Sequence, residues 1–116
     1  MTKPQSATSK CAVEPVLRLL SGRWTLTIMW RLHTEGPQRF GALGKLIPGV
    51  SAKVLTERLR LLEDAGLVHR HMKPTIPPEV TYSLTQHGDE LRASLSEIER
   101  VAYNWQSQGW GPAVEA

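Results

Sequence analysis

FGALGKLIPGVSAKVLTERLRLLEDAGL, residues Phe40 to Leu67, reads as a short helix, a tight turn and a longer helix. Phe40, Leu43, Leu46 and Ile47 recur at helical spacing and give the first helix one apolar face. Pro48-Gly49 ends it, because proline restricts the residue before it and lacks an N–H. Ser51 offers a hydroxyl as N-cap of the second helix. There Leu55, Leu59 and Leu62 face inward, with Val54, Leu61 and Ala65 at the margin. Gly66 supplies the stop, since glycine takes positive φ at little cost. Two helices joined by a short glycine-containing turn form a helix-turn-helix.

At 100° per residue, Lys53, Thr56, Arg60, Glu63 and Asp64 fall on the outer side of the second helix. Ser51, Lys53 and Thr56 occupy its start, and the acids gather toward its end. A helix that enters a major groove has this polarity, with N-terminal residues at the base edges. The competing reading is an ordinary solvated helix face.

The chain has 116 residues, enough for a single domain with one core. Its formal net charge of +3 favours a polyanionic partner. One cysteine cannot form an internal disulfide, so an oxidising compartment has no support. No apolar run approaches the ~20 residues of a spanning helix, and the N-terminus lacks a signal peptide's apolar segment. The expected location is the cytoplasm, with no membrane partner.

Residues 1–10 are polar and aperiodic and read as a disordered tail, with the folded domain spanning residues 11–108. Val13, Val16, Leu17 and Leu20 mark a helical face that Ser21-Gly22 terminates. Trp24 to Leu32 is apolar nearly all round, as suits a helix at the centre of the core. Gly36-Pro37 breaks the chain. Beyond Gly66 the period changes to two. Val68, Arg70 and Met72 alternate with His69, His71 and Lys73; after a proline-rich turn Val80, Tyr82 and Leu84 alternate with Thr81 and Ser83. Two strands directly behind a recognition helix make a wing. Thr85 caps a last helix carrying Leu91, Leu95, Ile98, Ala102 and Trp105 as one stripe, and residues 109–116 form a C-terminal tail. The expected fold is mainly α with a small antiparallel β-wing, a winged helix-turn-helix dimerising through its terminal helices.

Several pieces taken together carry a family resemblance. They are Cys11-Ala-Val-Glu14, Ser21-Gly-Arg-Trp24, Gly36-Pro-Gln-Arg-Phe40, Pro48-Gly-Val-Ser51 and Leu55-Thr-Glu-Arg-Leu59, followed by Leu62-Glu-Asp-Ala-Gly-Leu67, Ile76-Pro-Pro78 and Val80-Thr-Tyr-Ser-Leu-Thr85. In order and spacing the chain resembles the HxlR-type winged-helix transcriptional regulators, relatives of the MarR group, over roughly Cys11 to Trp105. The resemblance implies a bacterial homodimer that binds operator DNA and usually represses a nearby gene. Two positions depart from the family: Ala12 stands where proline is common, and Glu79 where the wing often carries a base. An acid there repels phosphate, so Lys73, with His71 and Arg70, is the better wing candidate.

Arg39, Lys45, Arg70 and Lys73 suit phosphates, whose neutralisation releases counterions. Ser51 suits a phosphate at the helix N-terminus. Lys53, Thr56 and Glu57 are placed for base edges, lysine toward guanine acceptors and the threonine methyl toward thymine. Arg60 lies farther along, nearer the backbone. Arg58 falls on the apolar side by angle, and two readings stay open: a packed stem with its head at the margin, or a DNA contact.

Cys11 also has two readings, a thiol switch that oxidises or bridges to a partner subunit, and a small apolar residue opening the first helix. Some members of the family sense oxidants or electrophiles through a cysteine at this place. His69 and His71 share a strand face, but two ligands do not close a metal site. Trp24 and Trp30 are core residues before they are a ligand pocket. No nucleophile with a nearby base and no glycine-rich phosphate loop is present, so neither catalysis nor a cofactor is expected. The expected partners are double-stranded operator DNA, a second copy of the chain and a small-molecule effector of unknown chemistry. The predicted dimer face joins Val13, Val16 and Leu17 to Leu95, Ile98, Ala102 and Trp105. The alternative function is a winged helix serving as a protein-interaction module.

Overall fold

The computed structural model describes residues 12–111, the side chain of Arg92 excepted. The expected N-terminal tail, Cys11 and residues 112–116 lie outside them. The elements run α1 (Val13–Leu20), α2 (Thr25–Glu35), β1 (Gln38–Arg39), α3 (Phe40–Leu46), α4 (Ala52–Asp64), β2 (Val68–Lys73), β3 (Glu79–Leu84) and α5 (Gln86–Ser107). The sheet is antiparallel in the order β1-β3-β2, with Gln38 opposite Tyr82 and Val68 opposite Leu84.

The core lies where α2, α3 and α4 meet the base of the sheet. Ile28, Met29, Leu32, Leu43, Ile47, Leu55, Leu59, Leu62 and Val68 are all at most 2% exposed, and Leu95 of α5 closes the cluster. Both helices of the helix-turn-helix thus bury the face that their spacing predicts, and α4 is held by three leucines. Its end is a Schellman motif: Gly66 N–H donates to Glu63 O and Leu67 N–H to Leu62 O, both at 3.0 Å, with Gly66 at φ 80°. This turn aims the chain straight into β2.

Four details differ from the sequence-based expectation. A third strand, β1, pairs with β3, which becomes the central strand and is half-buried along its whole length rather than alternately. β2 buries only Val68 and projects the rest of its length into solvent. Trp24 stands before α2 rather than inside it, at φ 76°, and Leu26 on that central helix is 38% exposed. Finally, α1 buries none of its residues.

Thr85 caps α5 as expected: its Oγ1 accepts from Gly88 N–H at 3.1 Å and donates to Gly66 O at 2.6 Å. The start of α5 is therefore tied to the end of α4. At the other end the chain turns at Gly109, and Trp110 N–H donates to Trp105 O at 2.8 Å. The two indoles meet edge to face at 4.6 Å, so Trp110 folds back on the helix.

Candidate nucleic-acid interface

Ser51 sits in extended backbone at the head of α4, and its Oγ accepts from Val54 N–H at 3.1 Å. Accepting that bond leaves the hydroxyl hydrogen to donate outward, beside first-turn amides that a helix leaves unpaired. Thr56 does the reverse. Its hydroxyl donates to Ala52 O at 2.8 Å, which leaves the γ-methyl as its free contact group. Lys53, Glu57 and Arg60 are exposed along the same helix. The leucines beneath are at most 1% exposed, so the polar groups stand on a rigid support.

Lys45 is exposed in the last turn of α3, just ahead of the turn into α4. Arg70 and Lys73 are exposed on β2. Arg39 precedes α3, where its guanidinium lies 3.8 Å from the Glu79 carboxylate. Lys73 lies opposite Glu79 in the strand register. The acid beside the wing's loop thus pairs with Arg39, which partly compensates one of the sequence-predicted phosphate contacts within the protein, while Lys73 faces it across the strands. As an exposed pair, Arg39 and Glu79 contribute little to stability. Arg58 stands apart: it is half-buried, and its Nε donates to the Arg23 carbonyl at 3.0 Å, behind the helix. No spacing rule could reveal that bond, because 35 residues separate its partners.

His69 and His71 bring their rings within 6.2 Å on one face of β2. Among the described residues no group of three or more His, Cys, Asp or Glu side chains could hold a metal ion. No described helix is long and apolar enough to cross a membrane.

The residues proposed for subunit contact divide. Leu95, included for its place in the stripe, is 9% exposed and belongs to the monomer's own core, because α5 packs on α2 there. Ile98 is 61% exposed, Trp105 39%, and Ala102 is exposed as well. With Val101 they line an apolar groove of about 410 Å³ on the outer half of α5. Val13, Val16 and Leu17 of α1 are exposed too. Trp110, assigned to a tail by sequence, borders this region through its contact with Trp105.

Known proteins share both sequence and fold with this chain. The pattern of the HxlR-like helix-turn-helix family matches residues 19–109. The uncharacterized HTH-type transcriptional regulator YvaP of Bacillus subtilis is 39% identical over 92 residues, covering 79% of this chain and 84% of that protein. The reduced form of the transcriptional regulator YodB from B. subtilis superimposes with a TM-score of 0.71 at 35% identity, covering 88% of this chain and 92% of that one. The redox regulator HypR in its reduced form gives a TM-score of 0.77 at 29% identity, covering 83% and 94%. Family pattern, relatives and superposition agree on the same stretch that folds into the helix-turn-helix and wing. The chain belongs to the HxlR-like family of winged-helix transcriptional regulators, with α4 in its helix-turn-helix DNA-binding domain.

Proposed function

We propose that this regulator is a repressor that binds a palindromic operator as a homodimer, with Lys53, Thr56 and Glu57 at base edges. Arg39, Lys45, Ser51, Arg60, Arg70 and Lys73 meet phosphates. The observation that carries this reading is the head of α4, where a donor hydroxyl, a lysine and a free methyl share an exposed end over fully buried leucines. Such an end offers both an anion site and a base-reading surface. One such helix reads only a few base pairs. Two related by a two-fold axis read half-sites about one helical turn, ~34 Å, apart or a multiple of that. The exposed groove around Ile98, Ala102 and Trp105, with the bare face of α1, supplies a surface for holding two copies together.

The test is selection of bound duplexes from a random pool, followed by affinity measured against salt. The expected outcome is a palindromic preference and a log–log salt slope of several units. Little retention on heparin or bulk DNA, with no slope, would instead favour a protein-interaction module.

An oxidant response belongs to the same proposal. YodB is known in a diamide-treated form and HypR in an oxidised form, and each superimposes on this chain. Cys11 immediately precedes the described residues in sequence. Two Cys11 thiols from two chains would join in a disulfide, giving up two protons and two electrons to the oxidant. Diamide treatment should then produce a reducible dimer band and release DNA, and Cys11→Ser should abolish both. Unchanged operator affinity on oxidation would remove the switch. A small-molecule effector would have room in the groove of about 410 Å³ among Val16, Leu67 and Leu91, which α1, the turn after α4 and α5 share.

A further inference from the structure

We infer that Arg58 is a positioning residue that locks the recognition helix to the bend between α1 and α2, and that Trp24 sets the pose of this lock. The inference rests on the DNA-binding reading of α4. Arg58 lies about 140° round the helix from Lys53 and about 200° from Thr56, so it does not share their face. Its Nε donates to the Arg23 carbonyl at 3.0 Å. A Cβ at Gly22 would lie 3.4 Å from the guanidinium carbon and 3.2 Å from Thr25 Oγ1, so the bare glycine makes the room the arginine occupies. Thr25 beside it is wholly buried, and its hydroxyl has no hydrogen-bond partner among the described residues.

Trp24 completes the arrangement. It holds φ at 76°, a left-handed conformation that bulky residues adopt only where their surroundings over-determine it. Its carbonyl accepts from Ile28 N–H at 2.9 Å, which starts α2. Its indole edge lies 3.4 Å from where a Cβ would stand on Gly49, in the turn of the helix-turn-helix. The Arg23 guanidinium covers the ring, 4.8 Å from its centroid. The bend from Ser21 to Trp24 therefore touches the DNA-reading unit twice, at Arg58 on α4 and at Gly49 before it. Two separated contacts restrain rotation as well as sliding. The helix that reads bases is oriented from behind by the segment that leaves α1, and any movement of α1 is delivered to α4 through these contacts.

The test compares wild type, Arg58→Lys, Arg58→Met and Gly22→Ala on a duplex selected by the wild-type protein and on a scrambled duplex of equal length, over a range of salt. Arg58→Lys keeps the charge and loses the planar Nε–H fork. All three variants should lose about tenfold or more of the preference for the selected duplex, while affinity for the scrambled duplex stays within about twofold. Arg58→Met should keep the wild-type salt slope. A preference retained in Arg58→Lys, with a slope lowered by about one in Arg58→Met, would make Arg58 a phosphate contact and overturn the lock. A second readout needs no DNA. In the free protein, Arg58→Met should shift the backbone amide resonances of Gly22 to Thr25 together with those of Gly49 to Ser51. Shifts confined to α4 would overturn the inference even in a protein that selects no sequence, an outcome that counts separately against the DNA-binding reading.

Discussion

Helices α4 and α1 are both amphipathic, yet one is anchored along its stripe and the other meets the core through Leu20 at its end, with the rest of its apolar face bare. The stripe of α4 (Leu55, Leu59, Leu62) is at most 1% exposed, whereas Val13 and Leu17 of α1 remain 53% and 60% exposed. Periodicity shows that a helix has an apolar face; it does not say what covers the face. α5 contains both conditions in one element, with Leu95 at 9% exposure near its middle and Ile98 at 61% less than one turn later. The anchored face holds α4 in place, with the surface proposed to read DNA on its outer side. The bare faces are where a second subunit would have to be found.

The sharpest break of this contrast is truncation beneath the anchored helix. Leu59→Ala should cost ~2–5 kcal/mol of unfolding free energy by denaturant titration. Leu17→Ala should stay within ~0.5 kcal/mol when measured on the isolated monomer, as a surface change does. Equal losses would mean that α1 is as much a part of the monomer core as α4.

Next in size is a charge on the bare part of α5. Burying an isoleucine-sized side chain is worth ~1.5–3 kcal/mol, once in each subunit. Ile98→Glu should therefore run as a monomer in light scattering and lose operator binding. A variant that stays dimeric and binds normally would move the interface elsewhere.

On the anchored side, Lys53→Ala should cost ~1–3 kcal/mol on the selected duplex and change its base preference. Lys73→Ala or Lys45→Ala should weaken all sequences alike and lower the salt slope by about one. Identical behaviour of the two sets would erase the division between readout and anchoring. Smallest is the cap: Ser51→Ala should remove ~1 kcal/mol of stability, read as a modest fall in melting temperature.

The helix-turn-helix was legible because its information is local. A proline-glycine stop, a serine cap, leucines at three and four residues and a glycine end all lie within 28 residues of chain, and each has a physical meaning there. β1 was not legible, since a strand of two residues has no period and exists only through its pairing with β3. The role of Leu95 was hidden for another reason. Core and interface leucines look alike in a stripe, and only the packing of α2 against α5 separates them. The bond from Arg58 to Arg23 and the left-handed Trp24 depend on a fold that brings distant segments together. Candidate DNA contacts on the outer face needed only helical angles, while those near the wing needed the register that sets Glu79 between Arg39 and Lys73.

Gly88 stands at the root of α5, where a Cβ would come within 2.3 Å of the Leu67 carbonyl oxygen. A contact that close cannot be absorbed by a side chain, because the obstacle is backbone. Any larger residue would pry the root of the helix away from the end of the helix-turn-helix. With 22 residues, α5 is about 33 Å long, so Trp105 rides near the tip of a lever whose fulcrum is this one glycine. A tilt of a few degrees at the fulcrum moves the tip by ångströms. In a dimer joined near that tip, the distance between two recognition helices, and with it the spacing of half-sites that one protein can span, would be gauged by the absence of a single methyl group.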